Sequence, residues 1–192
     1  ERYFVLRFNA FRAHHDKGAR GLSMEQKLIL VRLLEEYGRV IITTEKEIPQ
    51  ELAKYRLSVS PEKIHSLLYY STAFVGDSQT MSSEAAVMGV PSLRCNSFAG
   101  RLSSLEEEEK RYRLTYAFTP AEFDRLIEKT KELLAIPGLK EEWQARRRSM
   151  LAEKIDVTSF LVWLAEGYPE SAEEALSDPG VLSRFGNVQN TG

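Results

Sequence analysis

Short apolar runs alternate with amphipathic stretches along most of the chain. Tyr3-Phe4-Val5-Leu6 is rich in β-formers and predicts a strand. A polar loop over 12–21 follows, carrying Gly18 and Gly21. Ser23 with Gln26 three residues on is a capping box, and Leu28, Val31, Leu34 and Tyr37 then recur at helical spacing as far as Gly38. Val40-Ile41-Ile42-Thr43 predicts a second strand, apolar throughout as in a sheet covered on both faces. Leu57-Ser58-Val59 predicts a third. Ser60-Pro61 opens a helix with proline at its first position and with Ile64, Leu67 and Leu68 on one side.

Ala73-Phe74-Val75-Gly76 reads as the fourth strand and 81–88 as a helix stopped by Gly89. Ser92-Leu93-Arg94-Cys95 and the run over 114–118 complete the strands. Thr119 with Glu122 is a second capping box, opening a helix through Phe123, Leu126, Ile127 and Leu134 that ends at Pro137-Gly138. The pattern over 139–166 is helical, and Trp143, Phe160 and Trp163 are expected in the core. Ser171 with Glu174 predicts a cap for one short last helix, and the end of the chain is expected to be loose. Regular alternation of strand and helix predicts an α/β, Rossmann-like, doubly wound parallel sheet of about six strands with a helical carboxy-terminal extension. The expected bounds are a domain over 1–166 and a helix with tail over 167–192.

With 192 residues, 43% of them hydrophobic, the chain can bury a core of one domain or one domain with an appendage. A net charge of -2 argues against a nucleic-acid partner, which favours a basic stripe. The one dense cationic run, Arg146-Arg147-Arg148, follows Glu141-Glu142 and reads as a solvated helix face. No apolar run approaches the roughly 20 residues of a membrane helix. The single cysteine, Cys95, excludes an internal disulfide and fits a reducing, cytoplasmic setting. The chain starts at Glu1 and enters a strand almost at once, so a piece of a longer protein is expected.

Ligands of open parallel sheets sit beyond the carboxyl ends of the strands. Here those ends are the loops over 9–23, 44–49, 77–83 and 96–105. Asp77-Ser78-Gln79-Thr80 joins a strand directly to a helix start, where unpaired N–H groups and the helix dipole favour a phosphate. Glu84, further along that helix, suits a pair of ribose hydroxyls. The alternative is that Ser78 and Thr80 only cap the helix and Glu84 complements its positive end.

Arg94 and Asn96 end the neighbouring strand. Arg94 either neutralises phosphate with its fork or pairs with a carboxylate such as Glu84. Asn9, Arg12, His15, Asp16 and Ser97 are cleft candidates, the alternative for His15 and Asp16 being a polar surface loop. Adjacent histidines, His14 and His15, point apart, and no Cys/His cluster accompanies them, so no metal is expected. Cys95 reads as a small buried filler, His65 as a helix-surface residue, and the run Glu106, Glu107, Glu108, Glu109 as a solvated face.

The stretch Ser60-Pro61-Glu62, Ile64, Leu67-Leu68, Ala73-Phe74-Val75-Gly76-Asp77-Ser78, Glu84-Ala85 and Gly89-Val90-Pro91 resembles the carboxy-terminal domain of GT-B proteins. Within them it resembles most the branch related to UDP-N-acetylglucosamine 2-epimerase. The resemblance implies that Ser78, with the backbone of Gln79 and Thr80, meets the phosphates and that Glu84 binds the ribose. The chain also resembles an uncharacterised GT-B-like family, through Arg7-Phe8, His15-Asp16, Gly21-Leu22-Ser23, Gly76 to Thr80, Arg94-Cys95-Asn96-Ser97 and Lys154-Ile155-Asp156-Val157-Thr158. Two departures stand out. The epimerases have Gly-Gly where this chain has Gln79-Thr80, and their His-Arg-x-Glu-Asn loop is here Phe11-Arg12-Ala13-His14-His15-Asp16.

What the resemblance implies is the UDP-sugar-binding half of a glycosyltransferase or sugar epimerase. Its partner would be an amino-terminal domain absent from this chain, with no cofactor beyond the nucleotide-sugar and no turnover alone. No catalytic residue is assigned. The alternatives are a non-catalytic module that kept the fold but lost the donor site, and a regulatory α/β domain facing a partner chain.

Overall fold

The computed structural model describes residues 1–8, 21–44, 48–100 and 103–186, in two compact units, Glu1–Arg147 and Arg148–Gly192. In the first unit, β1 (Tyr3–Arg7), β2 (Arg39–Thr43), β3 (Ala73–Gly76), β4 (Ser92–Cys95) and β5 (Thr115–Phe118) form one parallel sheet. Its order is β2-β1-β3-β4-β5. β1 is the first strand in sequence yet lies inside the sheet, and Phe4, Val5 and Leu6 are fully buried. Chain direction across the sheet reverses between β1 and β3, which is where such folds open a crevice.

Among the described residues five strands form where about six were expected. Leu57-Ser58-Val59 runs beside the end of β2 but is held there by a single bridge, Ile42 to Arg56, and by Leu57 N–H donating to Ile42 O at 3.0 Å. Pro61, two residues further on, has no N–H to extend a ladder.

The helices of this unit are α1 (Met24–Glu35), α2 (Ile64–Tyr69), α3 (Gln79–Val87), α4 (Ser103–Lys110), α5 (Phe123–Leu134) and the greater part of α6 (Leu139–Ala152). Both predicted capping boxes form, Ser23 with Gln26 ahead of α1 and Thr119 with Glu122 ahead of α5. Right-handed crossovers place α2, α3 and α4 on one face of the sheet and α1 on the other. Under α2 and α3 the core is Val5, Leu68, Phe74, Met81, Ala85 and Val90.

Contact fixes the glycines at 76 and 89. A Cβ on Gly76 would stand 2.2 Å from the backbone oxygen of Arg7, so β3 can approach β1 this closely only without a side chain. Gly89 ends α3 at φ +70°, and a Cβ there would meet Gln144 Nε2 at 2.6 Å. That amide instead donates to the carbonyls of Met88 and Gly89, at 2.8 and 3.1 Å, and so covers the helix end. Trp143 is fully buried, as expected, with its indole N–H donating to Leu114 O at 2.8 Å.

The second unit holds α7 (Val157–Glu166), α8 (Glu170–Ser177) and a 3₁₀ turn over Pro179–Phe185. The helix expected over 139–166 is broken ahead of α7. Asp156 caps α7 by accepting from Ser159 N–H at 3.0 Å, which sets a new start instead of continuing α6. Phe160 and Trp163 are half-buried, not core. They lie 5.9 Å apart between centroids and pack with Phe185 at 5.5 and 5.4 Å. Ser171 does not cap α8 but lies inside it, its hydroxyl donating to Leu164 O at 2.7 Å. The end of the chain expected to be loose, 187–192, lies outside the described residues.

Candidate functional site

β1 and β3 pair in register up to Arg7 and Gly76, and one residue later Asp77 N–H still donates to Arg7 O at 3.1 Å. Ser78 then turns the chain into α3. It sits in extended conformation as the N-cap, and its hydroxyl accepts from Met81 N–H at 3.4 Å. That bond leaves the amides of Gln79 and Thr80 as first-turn donors at the carboxyl end of the sheet. Ser78 is buried, Gln79 half-buried and Thr80 exposed.

Along α3, at Met81 and Glu84 and not at Ser78, Gln79 or Thr80, lies a cavity of about 530 Å³, in the range of small-molecule sites. Arg7 of β1 and Thr43 and Thr44 at the end of β2 line one side. The extended stretch from Arg56 to Val59, with Pro61, makes the second wall. Ile64 and His65 of α2, with Met81 and Glu84 of α3, close the third. Glu84 is thus in the cavity wall, as a ribose ligand must be. His65, expected on a helix surface, stands with its Nε2 3.6 Å from Glu84 Oε1. It is on the helix surface as expected, and only its nearness to Glu84 was not legible, because one apolar side of α2 says nothing about what the opposite side meets.

Two expected ligands are committed elsewhere. Arg94 is 2% exposed. Its Nη1 donates to Thr115 Oγ1 at 3.2 Å and its Nη2 to Glu109 Oε2 at 3.3 Å, with Glu106 Oε1 at 3.6 Å. Carboxylate pairing is therefore the role the structure gives Arg94, with Glu109 and Glu106 as partners and not Glu84. The reason is the alternation of β4. Ser92 and Arg94 point to the face covered by α3 and α4, where Ser82, Ser92 and Thr115 also share hydroxyl bonds of 2.6 and 3.1 Å. Burial pushes the Arg94 guanidinium below its usual value and the Glu109 carboxyl above its own, each partly offset by the other.

Asn96 is fully buried and likewise occupied. Its amide donates to Asp77 O at 2.9 Å and its carbonyl accepts from Phe98 N–H at 2.9 Å. It ties the loop after β4 to the loop after β3 and shapes the site without facing it. The acidic run, expected as a solvated face, is α4 itself, whose Glu108 is buried and whose Glu109 also accepts from Ala117 N–H at 3.1 Å. Cys95 is fully buried, as expected of a filler, with its thiol pushed up to about 12 by burial and then by the charges of Asp77 and Glu122.

Ser97 is half-buried at the same strand end. Asn9, Arg12, His15 and Asp16 lie outside the described residues. Among the described residues, no group of three His, Cys, Asp or Glu side chains is placed to hold a metal, and no helix is long and apolar enough to cross a membrane.

No protein-family model and no curated protein sequence matches the chain. Solved structures do. The calicheamicin glycosyltransferase CalG4 superposes at TM-score 0.52 and 17% identity, over 78% of this chain and 38% of that one. Medicago truncatula UGT71G1 complexed with UDP-glucose gives 0.51 and 12%, over 80% and 37%. The glycosyltransferase VinC in complex with dTDP gives 0.50 and 16%, over 77% and 37%. The chain has the Rossmann-like fold of the GT-B glycosyltransferases. It spans less than two fifths of the length of these neighbours. At such identities what is shared is the fold.

Proposed function

We propose that this chain is the nucleotide-sugar-binding half of a GT-B glycosyltransferase or of a sugar epimerase of the UDP-N-acetylglucosamine 2-epimerase kind. The observation that carries the reading is Glu84 in the wall of a 530 Å³ cavity at the carboxyl ends of β1 and β2, one to two turns beyond a phosphate-ready helix start. The amides of Gln79 and Thr80 and the Ser78 hydroxyl hold the diphosphate, with the α3 dipole adding attraction. Glu84 accepts from the ribose hydroxyls. The base extends toward the wall from Arg56 to Val59, where Leu57, Val59 and Pro61 supply apolar surface.

In transfer or epimerisation through a diphosphate leaving group, these donors stabilise charge as it develops on the departing oxygen. They do so with backbone fixed by the fold. The rest of the catalytic cleft, including any general base, belongs to an amino-terminal domain, so this chain binds but does not turn over. α7 leaves Val157, Leu161 and Val162 about half exposed, an apolar face of the kind a further domain covers. Arg94 and Asn96 act from behind, by holding α4 and the β3 loop.

A second reading, a module that kept the fold and lost the donor site, draws on Gln79-Thr80. Their side chains stand where a diphosphate would approach a glycine pair. Calorimetric titration with UDP separates the two. The donor-site reading predicts binding, weakened at least about tenfold in Glu84→Ala, since a hydroxyl bond to a carboxylate is worth about 1.5–3 kcal/mol. No binding of UDP by the wild type supports the lost-site reading.

A further inference from the structure

Glu84 does not stand alone in the cavity wall. His65 Nε2 lies 3.6 Å from Glu84 Oε1, and both side chains are accessible, at 62% for His65 and 35% for Glu84. That separation is too long for a direct hydrogen bond. A hydroxyl oxygen seated to one side of the line joining them can still reach both at hydrogen-bond distance. The two residues come from different helices. α2 is carried on the segment that leaves the β2 edge through Pro61, and α3 starts from β3. Their meeting is therefore a product of the fold and not of local sequence.

We propose that His65 is a specificity residue of this site and that the His65–Glu84 pair holds one hydroxyl of a vicinal diol from the cavity side. The hydroxyl donates to Glu84 Oε1 and accepts from the imidazole N–H. The second hydroxyl of the diol donates to the remaining carboxylate oxygen. The inference rests on the nucleotide reading and adds to it a substrate class, the ribonucleoside diphosphates over their 2′-deoxy counterparts. The chemistry that discriminates is simple. A 2′-deoxyribose leaves one member of a polar pair without its partner, and such a loss weakens binding more than the hydroxyl's own contact would suggest. Solved neighbours of the same fold are complexed with UDP-glucose and with dTDP, so the fold by itself does not choose between the sugars.

The test measures UDP and 2′-deoxy-UDP on the 192-residue chain, in wild type, His65→Ala, His65→Gln and Glu84→Ala. Thermal melts confirm folding of each variant, and His65 is exposed enough to be replaced without disturbing the core. The expected result is a preference for UDP of about tenfold in wild type. It should fall to within about twofold in His65→Ala and return at least in part in His65→Gln, whose amide N–H can replace the imidazole donor. A wild-type preference left intact in His65→Ala overturns the role of His65 while the nucleotide reading stands on Glu84→Ala. Failure of wild type to bind either nucleotide overturns both together.

Discussion

At the scale of single residues, the site is read most clearly where one side chain has one job. That Ser78 starts a helix was legible in sequence because helix starts after buried strands have a fixed geometry, and the structure makes Ser78 the cap of α3 and puts Glu84 in the cavity wall. Arg94 and Asn96 were harder. A side chain at a strand end points to one face or the other, and the sequence alone does not say which face meets the ligand. His65 lies on the surface as its pattern implies, but its approach to Glu84 was not legible, since that partner comes from another helix. Cys95 offers a clean check on burial. Its thiol, pushed up to about 12, stays protonated in the folded chain while the unfolded chain ionises near pH 9. The folded state then holds the extra proton, so stability is full below pH 9 and falls as pH rises from there toward 12. Urea midpoints at pH 7 and pH 10 should show a loss larger in wild type than in Cys95→Ala, by about 1 kcal/mol. An equal loss would show that the thiol is open to water.

At the scale of elements, the alternation of apolar runs and amphipathic helices carried most of the fold, because parallel strands are short and apolar and helices between them keep one buried side. It failed at two places. Leu57-Ser58-Val59 has strand composition but lacks a donor at Pro61 and a neighbour beyond it, so it ends as a cavity wall. The stretch 139–166 has continuous helical periodicity, yet Asp156 competes for the backbone and restarts the helix. The acidic helix α4 also looked solvated from its charge alone, whereas Arg94 clamps it to the sheet. Replacing Arg94 with Met leaves Glu109 and Glu106 facing each other without their cation. It should cost about 3 kcal/mol, the lower end for broken buried pairs because both carboxylates are partly exposed. Chemical denaturation measures that cost. If Arg94 instead bound phosphate, the variant would lose UDP affinity with little change in midpoint. The structural role predicts the reverse, affinity within about twofold and a lower midpoint.

At the scale of the whole molecule, the sheet order and the reversal between β1 and β3 decide where a ligand can sit, and everything proposed for the site follows from that reversal. The order itself was not legible in sequence, since the apolar pattern gives strands and not neighbours. Nor was the closeness of β1 to β3, which depends on Gly76 lacking a side chain against Arg7. The central claim is that a nucleotide occupies the cavity between α3 and the Arg56 wall. Amide-resolved NMR titration of the chain with UDP tests it most directly. The account predicts shifts at Gln79, Thr80 and Glu84, at Thr43 and Thr44, and along Leu57, Ser58 and Val59, with β5 and α5 unmoved. Shifts confined to other parts of the molecule, or none at millimolar UDP, would contradict it.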